Sequence, residues 1–163
     1  MQAIQTASRA IIIQAPSSEA AHHQDLKSVF LAGTTSGPYD WREALTKQLA
    51  DLPIIIFNPL RRDWDSSWRE ELSCAPYKEQ VEWELEKQEK ADVVALYFGA
   101  GTEAPVSLLE LGLCAKEKRA VVYVQDGYKK KGNVQILCQK YGIDLTTEIG
   151  GFCDSIRKKL FGS

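Results

Sequence analysis

The chain has 163 residues, 44% apolar and 26% charged, with a formal net charge of −2. That length suggests one domain with a substantial core, and the balanced charge gives no electrostatic case for a nucleic-acid polymer as partner. No apolar run approaches the ~20 residues of a membrane span, and Ala10-Ile11-Ile12-Ile13 is too short for a secretory leader, so a cytoplasmic protein is expected.

Residues 1–26 read as an N-terminal tail: a frayed start, a short β-like run at 10–14 closed by Ala15-Pro16-Ser17-Ser18, and a polar linker. His22 and His23, the only histidines, are adjacent in that linker and read as linker residues rather than ligands. Residues 27–163 form the domain proper. Ser28-Val29-Phe30-Leu31-Ala32 is a buried-type strand ending at Gly33. A helix opens at Tyr39 or Asp40 with Trp41, Leu45 and Leu49 at helical spacing, and Pro53 stops it. A second strand covers 54–57, and a long charged and aromatic loop covers 58–75. The next helix, 76–90, is read with Tyr77, Val81 and Leu85 on its core stripe, Glu84 beside that stripe, and Trp83 pointing away. A third strand at 92–98 leads through Gly99-Ala100-Gly101-Thr102 into a helix, with Thr102 as its candidate cap and Pro105 in its first turn. A strand at 120–124, a helix to Tyr141 stopped by Gly142, a candidate strand at 143–145 and a last helix carrying Phe152, Ile156 and Leu160 complete the chain.

Continuous apolar strands alternating with helices predict an α/β domain with a parallel sheet covered on both faces. The expected fold is a single doubly wound, flavodoxin-like or Rossmann-like domain. Its five strands run in the order 2-1-3-4-5, and residues 10–14 are a candidate extra edge strand. In such sheets the ligand crevice lies beyond the strand carboxyl ends at the switch point. The loops 33–39, 58–74 and 99–104 then converge there.

Glu110 is the most informative residue. In Pro105-Val106-Ser107-Leu108-Leu109-Glu110-Leu111-Gly112-Leu113-Cys114 it falls on the stripe of Val106, Leu109 and Leu113, read as the buried side of the helix. A carboxylate there is costly and has either a structural hydrogen bond or a chemical role. Cys74, Cys114, Cys138 and Cys153 have no metal spacing. No metal and no cofactor are expected, so any catalysis rests on carboxylates.

Gly33-Thr34-Thr35-Ser36-Gly37 can present backbone N–H groups to a phosphate or sugar, or can be a simple tight turn. Asn58-Pro59-Leu60-Arg61-Arg62-Asp63-Trp64-Asp65 offers guanidiniums for an anion, an indole for stacking and carboxylates for base nitrogens; the alternative is a surface ion-pair loop over a tucked Trp64. Glu84 can reach the cleft wall. Glu82, Glu86 and Glu89 read as a solvated face. Asn133 either caps its helix or reaches a ligand.

These segments, with Gln80-Val81-Glu82-Trp83-Glu84, Ala91-Asp92 and Gly132-Asn133-Val134, together resemble the nucleoside 2-deoxyribosyltransferase family, in its "-like" branch, over roughly residues 28 to 142. The resemblance implies Glu110 as nucleophile and Glu84, eight residues before Asp92, as the acid that assists the leaving base, a role Asp63 can also fill. It implies a nucleoside or nucleotide substrate, for which the candidate binding residues read above are Gly33, Thr34, Asn58, Arg61, Arg62, Trp64 and Asp65. It also implies a homodimer or higher homo-oligomer in which Asn133 reaches a neighbouring site. The chain departs from better-known members at Phe30, where they carry Tyr, and at Ala104, where they carry Asp or Ser for the sugar's 5′ end; Thr102, Glu103 and Ser107 are candidate replacements. Three readings follow, in this order: deoxyribosyl transfer between bases, hydrolysis of nucleoside monophosphates, and nucleotide binding without catalysis.

Overall fold

The computed structural model describes residues 9–18 and 25–162. The two linker histidines therefore lie outside the described residues. The elements are β1 (Ile11–Gln14), β2 (Lys27–Gly33), α1 (Trp41–Leu49), β3 (Ile54–Asn58), α2 (Ala75–Lys90), β4 (Val93–Phe98), α3 (Pro105–Cys114) followed by a 3₁₀ turn (Ala115–Glu117), β5 (Ala120–Val124), α4 (Lys131–Tyr141), β6 (Asp144–Thr146) and α5 (Ile149–Phe161).

The sheet has six strands where five were expected, in the order β1-β3-β2-β4-β5-β6. All five pairings are parallel. The sixth strand is the N-terminal candidate: Ile11 to Gln14 align with Ile55 to Asn58 on the outer side of β3. Without it the order is the expected 2-1-3-4-5. The switch point therefore falls between β2 and β4, where Ala32 and Gly33 pair with Leu96 and Tyr97.

Strand side chains alternate between two cores. Phe30, Ala32, Val94, Leu96 and Phe98 face the layer that supplies Trp83, Leu111, Cys114, Val134 and Cys138 from α2, α3 and α4. Val29, Leu31, Val93, Ala95 and Tyr97 face Trp41, Leu45, Leu49, Phe152, Ile156 and Leu160 from α1 and α5. Asp40 caps α1 as the sequence suggests, accepting from the Glu43 N–H at 3.0 Å. Cys114, Cys138 and Cys153 are buried, and all four cysteines are free thiols.

Two helices sit rotated from the faces read in the sequence. On α2, Leu85 is exposed and Val81 only half-buried, while Gln80, Trp83, Lys87 and Gln88 are buried. Trp83 turns inward because its ring packs between Phe30 and Phe57, at 6.5 Å from each, and its indole N–H donates to the Ser17 carbonyl at 2.8 Å. The Lys87 stem lies along the same rings, with its ammonium 5.9 Å from the Phe57 centroid and beside Glu86. On α3, Val106, Leu109 and Leu113 are 55%, 66% and 54% exposed. The inner face is Ser107, Glu110, Leu111 and Cys114, itself an i, i+3, i+4, i+7 set. Glu110 is thus buried as expected, but on the face opposite to the stripe that suggested it.

Candidate active site

β2 ends at Gly33, at the switch point where a sheet of this order is expected to bind its ligand. Gly33 has φ +134°, and a Cβ there would lie 2.3 Å from the Tyr97 carbonyl oxygen, so only glycine lets β2 run this close to β4. The next residue locks two loops together. Thr34 Oγ1 accepts from the Gly99 N–H at 2.9 Å and lies 2.9 Å from Thr102 Oγ1, which donates to the Gly99 carbonyl at 2.8 Å. Thr102 is therefore a loop tie rather than the cap of α3. The position before α3 is Ala104, left-handed at φ 42°, with no side-chain cap and with Pro105 in the first turn.

Arg42, which the sequence reading passed over, stands behind the end of β2. It is 5% exposed. Its guanidinium donates to the carbonyls of Leu31, Gly33 and Thr34 at 3.3, 3.1 and 3.0 Å and lies over the Trp41 ring, 4.4 Å from the centroid. Burial lowers its pKa to about 10, against the opposing pull of the Glu110, Glu84 and Asp40 charges. Among the described residues it forms no salt bridge with either glutamate, so its charge acts on them through space. Its position in the first turn of α1, directly after the tryptophan that closes onto Thr34, was the available signal.

Glu110 is 7% exposed. Among the described residues its carboxylate has neither a hydrogen bond nor an ion pair. Burial pushes its pKa up to about 8, the nearby Glu84 charge adds to the rise, and Arg42 opposes it. Glu84, half-buried on α2, is also shifted upward by burial, offset by the Gln80 hydrogen bond and by Arg42. Gln80 Nε2 reaches Glu84 Oε1 and the Pro59 carbonyl, both at 2.8 Å. One turn beyond Glu84, Gln88 Nε2 donates to the Glu110 carbonyl oxygen at 3.1 Å, which ties α2 to α3 at this point. Gln80, Glu84 and Gln88 are spaced i, i+4, i+8 and form one polar stripe. That spacing was visible in the sequence, but the apolar stripe drew the reading instead. The two acids thus lie close enough for the Glu84 charge to raise the pKa of Glu110, beside one buried cation.

The remaining candidates lie further out. Asn58, at the end of β3, uses Oδ1 to accept from the Leu60 N–H at 3.0 Å. The Arg61 side chain is enclosed by Asp63 (2.8 Å), Glu79 (2.7 Å) and the Trp68 ring (5.0 Å to the centroid). Asp63 is exposed, and its bond to Arg61 holds its carboxyl below the usual range. Arg62 and Asp65 are exposed, the latter closing a turn onto the Ser67 N–H at 2.8 Å. Trp64 is 44% exposed and meets Trp68 and Tyr77 edge-on. Arg61 and Asp63 are thus engaged in an ion pair, while Trp64 is not tucked beneath the loop. Ser107 is buried one turn before Glu110 on the same face. Asn133 is exposed in the first turn of α4. A separate hollow of about 400 Å³ opens on the other side of the sheet, lined by Tyr39, Tyr97, Tyr123, Gln125 and Ile149 among others.

Among the described residues no helix is long and apolar enough to cross a membrane, and no group of His, Cys, Asp and Glu could hold a metal ion. Residues 26–128 match the family described as nucleoside 2-deoxyribosyltransferase like, more than half of the chain. No curated protein matches it.

Proposed function

The chain belongs to the nucleoside 2-deoxyribosyltransferase-like family, and from that premise we propose that it transfers 2-deoxyribose between nucleobases through a covalent ester on Glu110. The observation that carries the reading is the buried Glu110 carboxylate, with no hydrogen bond or ion pair among the described residues and with its pKa raised, beside a second carboxylate on the facing helix. Breaking the bond between C1′ and the base nitrogen places positive charge on the sugar. A carboxylate on the opposite face stabilises that charge and then traps it. A Glu110 oxygen bonds to C1′ as the bonding pair leaves with the base, and the base nitrogen takes a proton from Glu84. In the second half, an incoming base attacks C1′, the ester oxygen departs as carboxylate, and the incoming base's proton returns to Glu84. Arg42 favours the ionised form of Glu110 without forming a bond that would have to break.

The monophosphate-hydrolase reading draws less support. Of its two candidate phosphate ligands, Arg61 is already held by Asp63 and Glu79, which leaves the exposed Arg62. In the transferase reading the working unit is a homo-oligomer. The outward stripe of Val106, Leu109 and Leu113 leaves two turns of α3 apolar and exposed, the surface proposed to seat a second copy. Incubating the protein with deoxyinosine and adenine tests the chemistry. Deoxyadenosine forms with wild type and falls by at least about 10³-fold with Glu110→Ala; equal rates in the two would remove the nucleophile assignment.

A further inference from the structure

Gln80 has no assigned part in the chemistry, yet it is 4% exposed and both of its amide protons are committed. One goes to the Pro59 carbonyl and one to Glu84 Oε1, each at 2.8 Å. The first bond fixes the second, because a flipped amide would set Oε1 against the Pro59 carbonyl oxygen. Glu110, by contrast, receives no donor among the described residues. Two buried carboxylates beside one cation do not both ionise readily, and the one that accepts a hydrogen bond is the cheaper to charge.

We propose that Gln80 is a positioning residue that holds Glu84 as the ionised member of the pair, so that in the empty site the shared proton rests on Glu110. The inference builds on the reading of Glu84 and Glu110 as the reacting pair. It adds that the resting arrangement is the reverse of the reactive one, in which Glu110 attacks as carboxylate and Glu84 donates. A bound nucleoside that draws Glu84 off Gln80 raises the proton affinity of Glu84. Glu110 then gives up a proton as Glu84 gains one, so the net protonation of the pair is unchanged and charging of the nucleophile is tied to substrate binding. The other charged and titratable groups facing the pair are Arg42 from α1, Tyr77 on the helix of Glu84 and Cys114 on that of Glu110. Of these only Arg42 carries charge near neutrality, and it acts on both acids in the same sense. Its coupling to Glu110 is the larger of the two, so it opposes the bias that Gln80 sets and cannot be its source.

The test is a carboxyl ¹³C NMR titration of the ligand-free full chain, with the two resonances assigned through Glu84→Gln and Glu110→Gln. In wild type Glu84 ionises before Glu110. In Gln80→Leu the Glu84 midpoint rises by about one pH unit and that of Glu110 falls. Gln80→Met, closer in shape, carries the same expectation should the leucine variant not fold. Ionisation of Glu110 first in wild type, or a Glu84 midpoint unmoved in the folded variant, overturns the proposal; the wild-type order decides it even without a folded variant. No turnover is needed. Absent base exchange with the order intact would count against the transferase reading alone, and a reversed order with exchange intact against the Gln80 role alone.

Discussion

Glu110 is expensive to the fold, and its cost has a pH signature. Its folded pKa of about 8 lies above the 4.5 of an exposed glutamate. Below about pH 4.5 both the folded and unfolded states hold the proton, and burial of the side chain carries no ionisation penalty. As pH rises through the window from 4.5 to 8 the unfolded chain loses its proton first, so the native state loses stability, and above 8 the full cost is present. Glu110→Gln lacks this term. Urea denaturation should show the variant more stable than wild type by a few kcal/mol above pH 8, with the gap closing below about pH 5; a gap constant across that range would contradict the burial account. Burial of the carboxylate at 110 was expected, but from a stripe that faces outward. Its companions were not, because Arg42 and Gln80 are polar residues on helices whose apolar residues dominated the periodicity.

Strands were largely open to inspection, caps less so: neither Thr102 nor Asn133 caps the helix it precedes or opens. Apolar runs such as Ile54-Ile55-Ile56-Phe57, the Asp40 cap and the Gly142 stop each record a local physical demand. The faces of α2 and α3 were not, since α3 is apolar nearly all round and two alternative stripes fit helical spacing equally well. A stripe in sequence reports a surface that excludes water; it does not say whether the sheet or something else covers it. The turn after β2 makes a sharper demand. Gly33→Ala must relieve a 2.3 Å approach to the Tyr97 carbonyl and adopt a φ of +134°, and should lose roughly 2–4 kcal/mol in thermal or urea unfolding. Gly37→Ala, at φ +110° with nothing within 4 Å of its Cβ, meets only the backbone strain and should lose visibly less. Equal losses would mean that the contact with β4 is not what fixes the glycine.

For the whole molecule, the doubly wound order brings β2, β4 and the start of α3 to one crevice, while the uncovered side of α3 faces outward. Sedimentation velocity should find wild type as a homodimer or larger, and Leu109→Glu, which sets a charge in the middle of the stripe at a position 66% exposed, should shift it to monomer without unfolding it; a monomeric wild type would contradict the shared-site arrangement. The central claim is more local, that Glu110 becomes esterified to the sugar. Its most direct test is mass spectrometry of the protein quenched in acid after mixing with deoxyinosine and no acceptor base. A gain of one 2-deoxyribosyl group is expected, mapped to the peptide carrying Glu110 and absent in Glu110→Gln. Base exchange proceeding with an unmodified Glu110, or the sugar found on another residue, would contradict it.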